Sequence, residues 1–189
     1  LSGGVEEARV EASGALSTLA MNSQQNQLAI ANGLVALLGH GSDDDSHVTE
    51  LLLQLSGDVN NRFAIASAGA IPKLIAQLRS KVTRVQEIAS AVLARLTSDE
   101  RRGAENVAEC ASHGGVRPLI VLLESASKSA QASAAAVLAD MTRESSSNQE
   151  AVTKDGGVEP LVALLASEVE SADAKAEAAG ALWSLASSG

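Results

Sequence analysis

The sequence predicts an all-α solenoid, in which short helices form repeats that stack along one axis. Three observations support this prediction. A glycine-headed apolar segment recurs along the chain, an apolar segment with a shared leucine follows each copy, and 46% of the residues are hydrophobic although only 1% are aromatic. The shared leucine returns after 36, 41, 45 and 44 residues, a spacing that suits units of two or three helices. One such unit cannot bury its apolar face, so stacking must supply the core.

A short first helix is predicted at the start of each unit. An asparagine lies eight residues before the glycine of each full unit, and a shortened first unit has an equivalent one: Asn26, Asn61, Asn106 and Asn148. Asparagine favours the N-cap because its side chain accepts a hydrogen bond from a backbone N–H group. The apolar residues four positions later are expected to be buried on these helices. They are Ile30, Ile65, Cys110 and Val152.

The glycine-headed segment predicts the second helix. It reads GAIPKLIAQL from Gly69, GGVRPLIVLL from Gly114 and GGVEPLVALL from Gly156, and a shortened copy reads LVALL from Leu34. Glycine ends the preceding helix because it adopts a positive φ at little cost. The prolines Pro72, Pro118 and Pro160 are expected to open the second helices, where a missing N–H donor does no harm.

The third helix follows a short polar loop and contains the shared leucine. We expect third helices at residues 6–20, 46–56, 84–97, 129–142 and 172–186. The aligned leucines are Leu16, Leu52, Leu93, Leu138 and Leu182. Alanine-rich runs beside them allow neighbouring third helices to approach closely. Leu93, Leu138 and Leu182 are therefore expected to be buried at successive repeat interfaces.

The pattern indicates a single array over residues 1–189. Residues 1–21 form the third helix of an incomplete repeat, 22–57 a shortened repeat, and 58–98, 103–143 and 147–187 three further repeats. The shortened repeat lacks the stretch equivalent to Gly69–Lys73, so its second helix is expected to pack irregularly. Because the C-terminal unit shows no polar capping repeat, we expect the chain to be a fragment of a longer array.

The order of these motifs resembles the armadillo repeat. The resemblance rests on a first helix N-x-x-x-[IV], a segment G-[AG]-[IV]-x-P-L-[IV]-x-L-L and a third helix ending in A-G-A-L-W-S-L-A, and it is strongest over residues 60–186. It implies a right-handed superhelix of three-helix units whose third helices line a concave groove for proteins or extended peptides. HEAT repeats are the alternative architecture, but they normally lack the glycine-separated first helix.

The predicted binding residues occupy one position on the third helices. In peptide-binding armadillo proteins, a Trp often lies two residues before the aligned leucine and an Asn two residues after it. Here the Trp positions hold Gly14, Glu50, Ala91, Ala136 and Gly180, and the Asn positions hold Thr18, Gln54, Arg95, Asp140 and Ser184. Because both ladders are missing, a nuclear-import adaptor is not expected. The Thr18-to-Ser184 series is still predicted to line the groove and bind a partner, with Arg95 as its one cation.

Trp183 is a further candidate for partner binding. It lies next to Leu182, one position away from the groove-lining series. Two interpretations are open, contact with a ligand and packing against an adjacent repeat, and packing is favoured because a large aromatic ring is a strong source of buried apolar area.

The charge distribution suggests what kind of partner would bind. From Arg62 to Arg102 there are eight basic and three acidic side chains, a net charge of +5 in a chain whose total is −9. This basic stretch would attract another protein with an acidic segment, although solvated loop charges are the simpler interpretation. The overall acidity and the scarcity of aromatic residues argue against nucleic acid. No apolar run reaches the roughly 18 to 20 residues of a membrane span.

Two clusters of reactive side chains have simpler structural interpretations. Cys110 and His113 have the spacing of a nucleophile and its base on one helix, but Cys110 occupies the same repeat position as Ile65 and Val152. The segment 40–47, with His40, Asp43, Asp44, Asp45 and His47, has ligands for a divalent cation, but a solvated loop is the favoured interpretation. No catalytic residue, metal, cofactor or small-molecule substrate is therefore expected.

We expect a protein–protein interaction scaffold that is not an enzyme, which binds a partner protein or an extended peptide segment along the concave groove. The alternative is a permanent structural subunit of a larger multiprotein assembly, which would use its ends and convex face as well. The chain shows no signal or transmembrane segment, so a cytoplasmic location is the default expectation.

Overall fold

The computed structural model describes residues 11–12, 14–21, 23–39, 45–143, 145–168 and 171–187, and within them the chain is helical without a β-strand. Residues 11–12 and 14–20 are helical and form α1. The helices that follow are α2 (Gln24–Leu37), α3 (Asp45–Leu55), α4 (Val59–Ser67), α5 (Ala70–Gln77), α6 (Thr83–Thr97), α7 (Gly103–Ser112), α8 (Val116–Leu123), α9 (Lys128–Thr142), α10 (Ser146–Lys154), α11 (Val158–Ala166) and α12 (Ala172–Ala186).

The predicted third helices correspond to α1, α3, α6, α9 and α12. The bounds of the last four differ from the prediction by at most one residue. The start of the first one, predicted at residue 6, lies outside the described residues. Helices α4–α6, α7–α9 and α10–α12 therefore form three successive three-helix units, as the sequence predicts.

Glycine and proline separate the first and second helices of the full units. The φ angles of Gly69, Gly114 and Gly156 are 76°, 70° and 80°, in the left-handed region that an L side chain rarely adopts. The prolines lie in the first turns of α5, α8 and α11, where backbone N–H groups lack an intrahelical partner. The predicted helix breaks are therefore confirmed.

The shortened unit has no separate second helix. α2 runs for 14 residues without interruption, because this part of the chain lacks the glycine and proline that divide the full units. Ser23 caps α2 by accepting a hydrogen bond from the Asn26 backbone N–H at 3.3 Å. The prediction of an irregular second helix is thus wrong: the first and second helices are fused into one.

The asparagines predicted as N-caps have a different role. The side chains that cap α2, α4 and α10 are Ser23, Asp58 and Ser145. Three of the asparagines instead donate a side-chain hydrogen bond to the end of the preceding third helix: Asn26 to the Leu19 carbonyl at 2.8 Å, Asn106 to that of Leu96 at 2.7 Å and Asn148 to that of Met141 at 2.9 Å. The N-cap prediction is wrong, because a helix C-terminus leaves carbonyl groups that need a donor.

The core is formed by third helices stacked in sequence, α3 on α6, α6 on α9 and α9 on α12. Leu93 and Leu138 have 0% of their surface exposed, as predicted. Leu182 is only partly buried, because no helix within the described residues covers the outer side of α12. The prediction is therefore confirmed for Leu93 and Leu138 and wrong for Leu182.

Leu138 and Leu182 provide a matched test of stacking. We expect Leu138→Ala to lower the free energy of unfolding by about 2–5 kcal/mol, since it leaves a cavity between two third helices. Leu182→Ala should cost about 1 kcal/mol, because part of its surface is already exposed. Chemical denaturation of both variants measures the difference, and equal losses would contradict the proposed alignment of the units.

Candidate functional site

The predicted binding residues lie on successive third helices. Thr18 is on α1, Gln54 on α3, Arg95 on α6, Asp140 on α9 and Ser184 on α12. Thr18, Gln54 and Arg95 are exposed, whereas Asp140 and Ser184 are half-buried. Because α3, α6, α9 and α12 stack in order, their four residues form a series that crosses the units. We refer to these four residues and Thr18 as the third-helix row.

Two charged members of the third-helix row connect neighbouring units. Arg95 donates from Nη1 to the Leu53 carbonyl at 2.5 Å and to Ser56 Oγ at 3.1 Å. Asp140 accepts a hydrogen bond from Thr97 Oγ1 at 2.8 Å. Each side chain thus reaches the last turn of the preceding third helix or the residue just after it. Any partner that contacts Arg95 or Asp140 therefore meets side chains already held in place.

The two end members of the row, Thr18 and Ser184, have small side chains. The Thr18 and Ser184 hydroxyls donate to the Gly14 and Gly180 carbonyls of their own helices, at 2.8 and 3.0 Å. A Cβ atom built on Gly14 or Gly180 would meet no heavy atom within 4 Å. At these two of the five tryptophan positions, the space beside the helix is therefore open. A partner segment can approach the helix backbone there.

The basic stretch serves mainly to hold the units together. Lys73 Nζ donates to the Val35 and Leu38 carbonyls at 2.7 and 3.0 Å, at the C-terminal end of α2. Further cations bind in the same way or pair with acids: Arg62 with the Ser56 carbonyl and Asp99, Arg79 with the Gly114 carbonyl, Arg84 with Glu50 and Glu87, and Arg102 with Glu105 and Ser67. Helix C-termini carry partial negative charge, which favours cations there. The high proportion of basic residues in this stretch is therefore explained neither by solvated loop charges alone nor by the attraction of an acidic partner alone.

Trp183 is 77% exposed on α12. The prediction that it packs against an adjacent repeat is wrong for the described residues, in which no helix covers this side of α12. It shares this outer side of the α11–α12 pair with Val158, Val162 and Leu165, which are 36%, 48% and 39% exposed. The equivalent residues of the preceding unit, Val116, Ile120 and Leu123, are 7%, 7% and 3% exposed. We call the outer side of α11 and α12 the end face.

Cys110 is a core residue. It has 0% of its surface exposed, as its repeat position predicts, and a Cβ atom on Gly115 would lie 2.5 Å from its Sγ. Burial, with a smaller contribution from the Glu109 carboxylate, raises the pKa of the Cys110 thiol from 9.0 to about 12. His113 is exposed, and its Nδ1 lies 2.9 Å from the Glu109 carbonyl. Cys110 is thus neither ionised nor paired with a base at neutral pH.

The acidic segment considered as a cation site is largely beyond the described residues. His40, Asp43 and Asp44 fall outside them, Asp45 begins α3, and His47 is exposed on that helix. Among the described residues, no group of three or more His, Cys, Asp and Glu side chains is placed to hold a metal ion. In the same part of the chain, no helix has the length and apolar character needed to cross a membrane.

The loop between α6 and α7 forms pockets that the sequence patterns did not reveal. It comprises residues 98–102, whereas 56–58 and 143–145 make the equivalent connections in the neighbouring units. One pocket of about 690 Å³ lies between this loop, α7 and the ends of α9 and α10. A second, of about 540 Å³, lies between the loop and the first turns of α2 and α4. In the sequence, the longer loop is visible only as a longer repeat interval: Gly69 and Gly114 are 45 residues apart, whereas Gly114 and Gly156 are 42 apart.

Together these features define an α-helical solenoid of stacked three-helix units. The family model of the Armadillo/beta-catenin-like repeat matches residues 58–98 and 145–187. The chain belongs to the armadillo repeat family, and its fold is the right-handed solenoid that the sequence resemblance implies.

Solved structures support the same assignment. An engineered protein superimposes with a TM-score of 0.75 at 30% sequence identity, over 94% of this chain and 72% of that one. A designed armadillo repeat protein gives a TM-score of 0.74 at 21% identity, over 94% of this chain and 75% of the other. Another designed armadillo repeat protein, solved in complex with the peptide (KR)4, gives 0.73 at 22% identity, over 92% and 74%. No curated protein matches the sequence.

The raised pKa of Cys110 predicts a loss of stability at high pH. The thiol ionises near pH 9.0 when the chain is unfolded but near pH 12 when it is folded. Between these values the folded state binds more protons, so its stability falls as pH rises. Denaturation of wild type and Cys110→Ala across this range should therefore show a wild-type advantage below pH 9 that shrinks above it. Rapid labelling of the folded thiol at neutral pH would contradict the burial of Cys110.

Proposed function

We propose that this protein is a non-enzymatic scaffold that binds an extended segment of a partner protein along the third-helix row. The observation that supports this proposal most directly is the stacking of α3, α6, α9 and α12 in order, with an open position beside the backbone at Gly180 on α12. Thr18, Gln54, Arg95, Asp140 and Ser184 are the proposed contact residues.

Designed proteins of the same fold support this proposal. A designed armadillo repeat protein of the same fold was solved in complex with the peptide (KR)4, and another design was made for modular peptide recognition. In this chain both ladders are absent, so we expect side chains of the partner to contact small residues and helix backbones. Such a surface gains affinity mainly from shape and apolar contact, because Arg95 and Asp140 are already hydrogen-bonded within the chain.

Gly180→Arg tests whether the row is the binding surface. The new side chain has room, and arginine favours a helix over glycine by up to about 1 kcal/mol, so the variant should fold at least as well as wild type. Its bulk would block the row. For peptides selected on the wild-type protein from a displayed random library, we expect affinity to fall by about tenfold or more, measured by titration calorimetry.

Gly33→Arg is the matched control for this experiment. Gly33 is an exposed helical glycine on α2, and its Cβ position is likewise open within 4 Å, but α2 is not a third helix. We expect peptide affinity to change less than twofold, which is about 0.4 kcal/mol. Equal effects of Gly180→Arg and Gly33→Arg would show that the third-helix row does not hold the peptide.

The end face supports a second function, a permanent subunit of a larger assembly. Trp183, Val162 and Leu165 expose apolar surface at this face. Large exposed apolar patches are typical of protein–protein interfaces. An assembly partner that covered it would bury side chains whose equivalents in the preceding unit are already buried.

Trp183→Ser distinguishes the assembly function from reversible docking. Trp183 is 77% exposed, so its replacement should leave the stability of the isolated chain nearly unchanged. If the end face holds an assembly together, tagged wild type in cell extract should elute from gel filtration far above its chain mass of 19.2 kDa, and Trp183→Ser should elute near it. Elution of both proteins near the chain mass would exclude the assembly function.

A further inference from the structure

The pocket of about 540 Å³ beside the α6–α7 loop is lined largely by hydrogen-bond donors. It contains no residue of a third helix. The first turn of α2 contributes Gln24 and Gln27, α4 contributes Asn60, and the loop contributes Arg101 and Arg102. The N-terminal turn of a helix also carries partial positive charge. The pocket therefore has the electrostatic character of a site for a negatively charged group.

Gln27 is the clearest indication that this pocket receives a ligand. The residue is only 7% exposed, yet its side-chain amide makes no hydrogen bond with any residue that the structure describes. Its amide atoms are reached by solvent through the pocket. A ligand with an acceptor oxygen in the pocket could therefore accept a hydrogen bond from the Gln27 amide without displacing a partner of Gln27 within the described residues.

Arg101 contributes the charge. Its Nη1 donates to Asn60 Oδ1 at 3.0 Å, a neutral acceptor, and within the described residues it forms no ion pair. The neighbouring Arg102, by contrast, is paired with Glu105 at 2.7 Å. A guanidinium has five N–H donors, so Arg101 retains several for a ligand. Because Arg101 binds the side-chain oxygen of Asn60, the side-chain N–H groups of Asn60 remain as further donors.

The loop that carries Arg101 is held in a defined conformation. Asp99 Oδ1 accepts hydrogen bonds from the backbone N–H groups of Arg101 and Arg102, at 3.0 and 3.2 Å. Asp99 Oδ2 lies 3.6 Å from Arg62 Nη1 on α4. These contacts fix the loop side of the pocket against α4 before any ligand arrives, which lowers the entropy cost of binding.

We propose that this pocket binds a carboxylate side chain from an acidic segment of a partner protein. One unpaired cation and several neutral amide donors match the single charge of a carboxylate, whereas a phosphoryl group carries about −1.5 to −2 at neutral pH and would call for more cations. The proposal rests on the proposed scaffold function, and it places the acidic-segment contact at Arg101 rather than at Arg95.

Pentaglutamate with blocked termini is a suitable probe. In an NMR titration of the full chain, we expect saturable shifts of the Gln27 side-chain amide signals. Arg101→Ala and Gln27→Leu should each weaken binding by about tenfold, as expected for a lost hydrogen bond to a charged group. Leucine is close to glutamine in volume, and denaturation of both variants checks that they remain folded.

Lys81→Ala is the matched control, because it removes the same charge from an exposed site in the same basic stretch. We expect its affinity to differ less than twofold from wild type. Equal weakening by Lys81→Ala and Arg101→Ala would show nonspecific attraction and overturn the proposal. Absence of saturable binding by wild type, or tighter binding of a phosphoserine pentapeptide than of pentaglutamate, would also overturn it.

Gly180→Arg separates this inference from the proposed function of the third-helix row. It should leave pentaglutamate binding unchanged, because Gly180 lies on α12 and does not line the pocket. Loss of pentaglutamate binding in Gly180→Arg would place the acidic peptide in the row, and would overturn the pocket while leaving the row proposal intact. The opposite result is also informative. If Gly180→Arg changes neither the affinity for the library-selected peptides nor the binding of pentaglutamate, the row proposal is overturned and the pocket is supported.

Discussion

The fold depends on the burial of one side of each third helix against the third helix of the next unit. Leu93 and Leu138 lie at these contacts with no exposed surface, and the alanines around Leu138 allow α9 to approach both α6 and α12 closely. Fully burying a leucine contributes about 1.5–3 kcal/mol, and the same contact recurs along the array. The short first and second helices could not provide this core alone, so the position of every surface residue follows from the stacking.

Stacking creates an electrostatic problem that polar side chains solve. Each third helix ends with carbonyl groups that lack an intrahelical partner, and the next unit covers these ends. Asn106 and Asn148 supply donors from the following first helix, and Arg95 supplies one from the following third helix. This explains why a locally basic stretch exists in an acidic protein. The charge is used mainly between units, whereas Arg101 has only a neutral acceptor, Asn60, and keeps further N–H donors for a ligand.

Much of the fold could be predicted from the sequence because it depends on local chemistry. A positive-φ glycine, a proline in the first turn and a leucine at a fixed interval act within one unit, so their pattern located the helices and the buried Cys110. The role of the asparagines was missed although Ser23, Asp58 and Ser145 each lie three residues before one of them. Two capping candidates three residues apart predict different first residues for the same helix, and the sequence pattern alone does not show which one caps it.

Properties that depend on neighbours in space could not be predicted in this way. Leu182 and Leu138 share a repeat position but differ in exposure, because α9 is covered by a following unit and α12 has no such cover within the described residues. The same reasoning applies to the partner of Arg95, which lies 42 residues earlier in the chain. An arginine side chain is long enough to reach several acceptors, and the packing of whole helices determines which acceptor it binds.

The proposed carboxylate pocket links ligand binding to the stability of the stack. Arg101 belongs to a loop fixed by Asp99, and Asp99 is paired with Arg62 on α4, while Gln27 belongs to α2. A ligand that bridges Arg101 and Gln27 therefore joins a loop and a helix from different units, and it binds only when those units are stacked. Any molecule that binds the folded state in this way stabilises it in proportion to the logarithm of its concentration relative to Kd. Partner recognition and stacking at this end of the array would thus reinforce each other through the Gln27 amide and the Arg101 guanidinium.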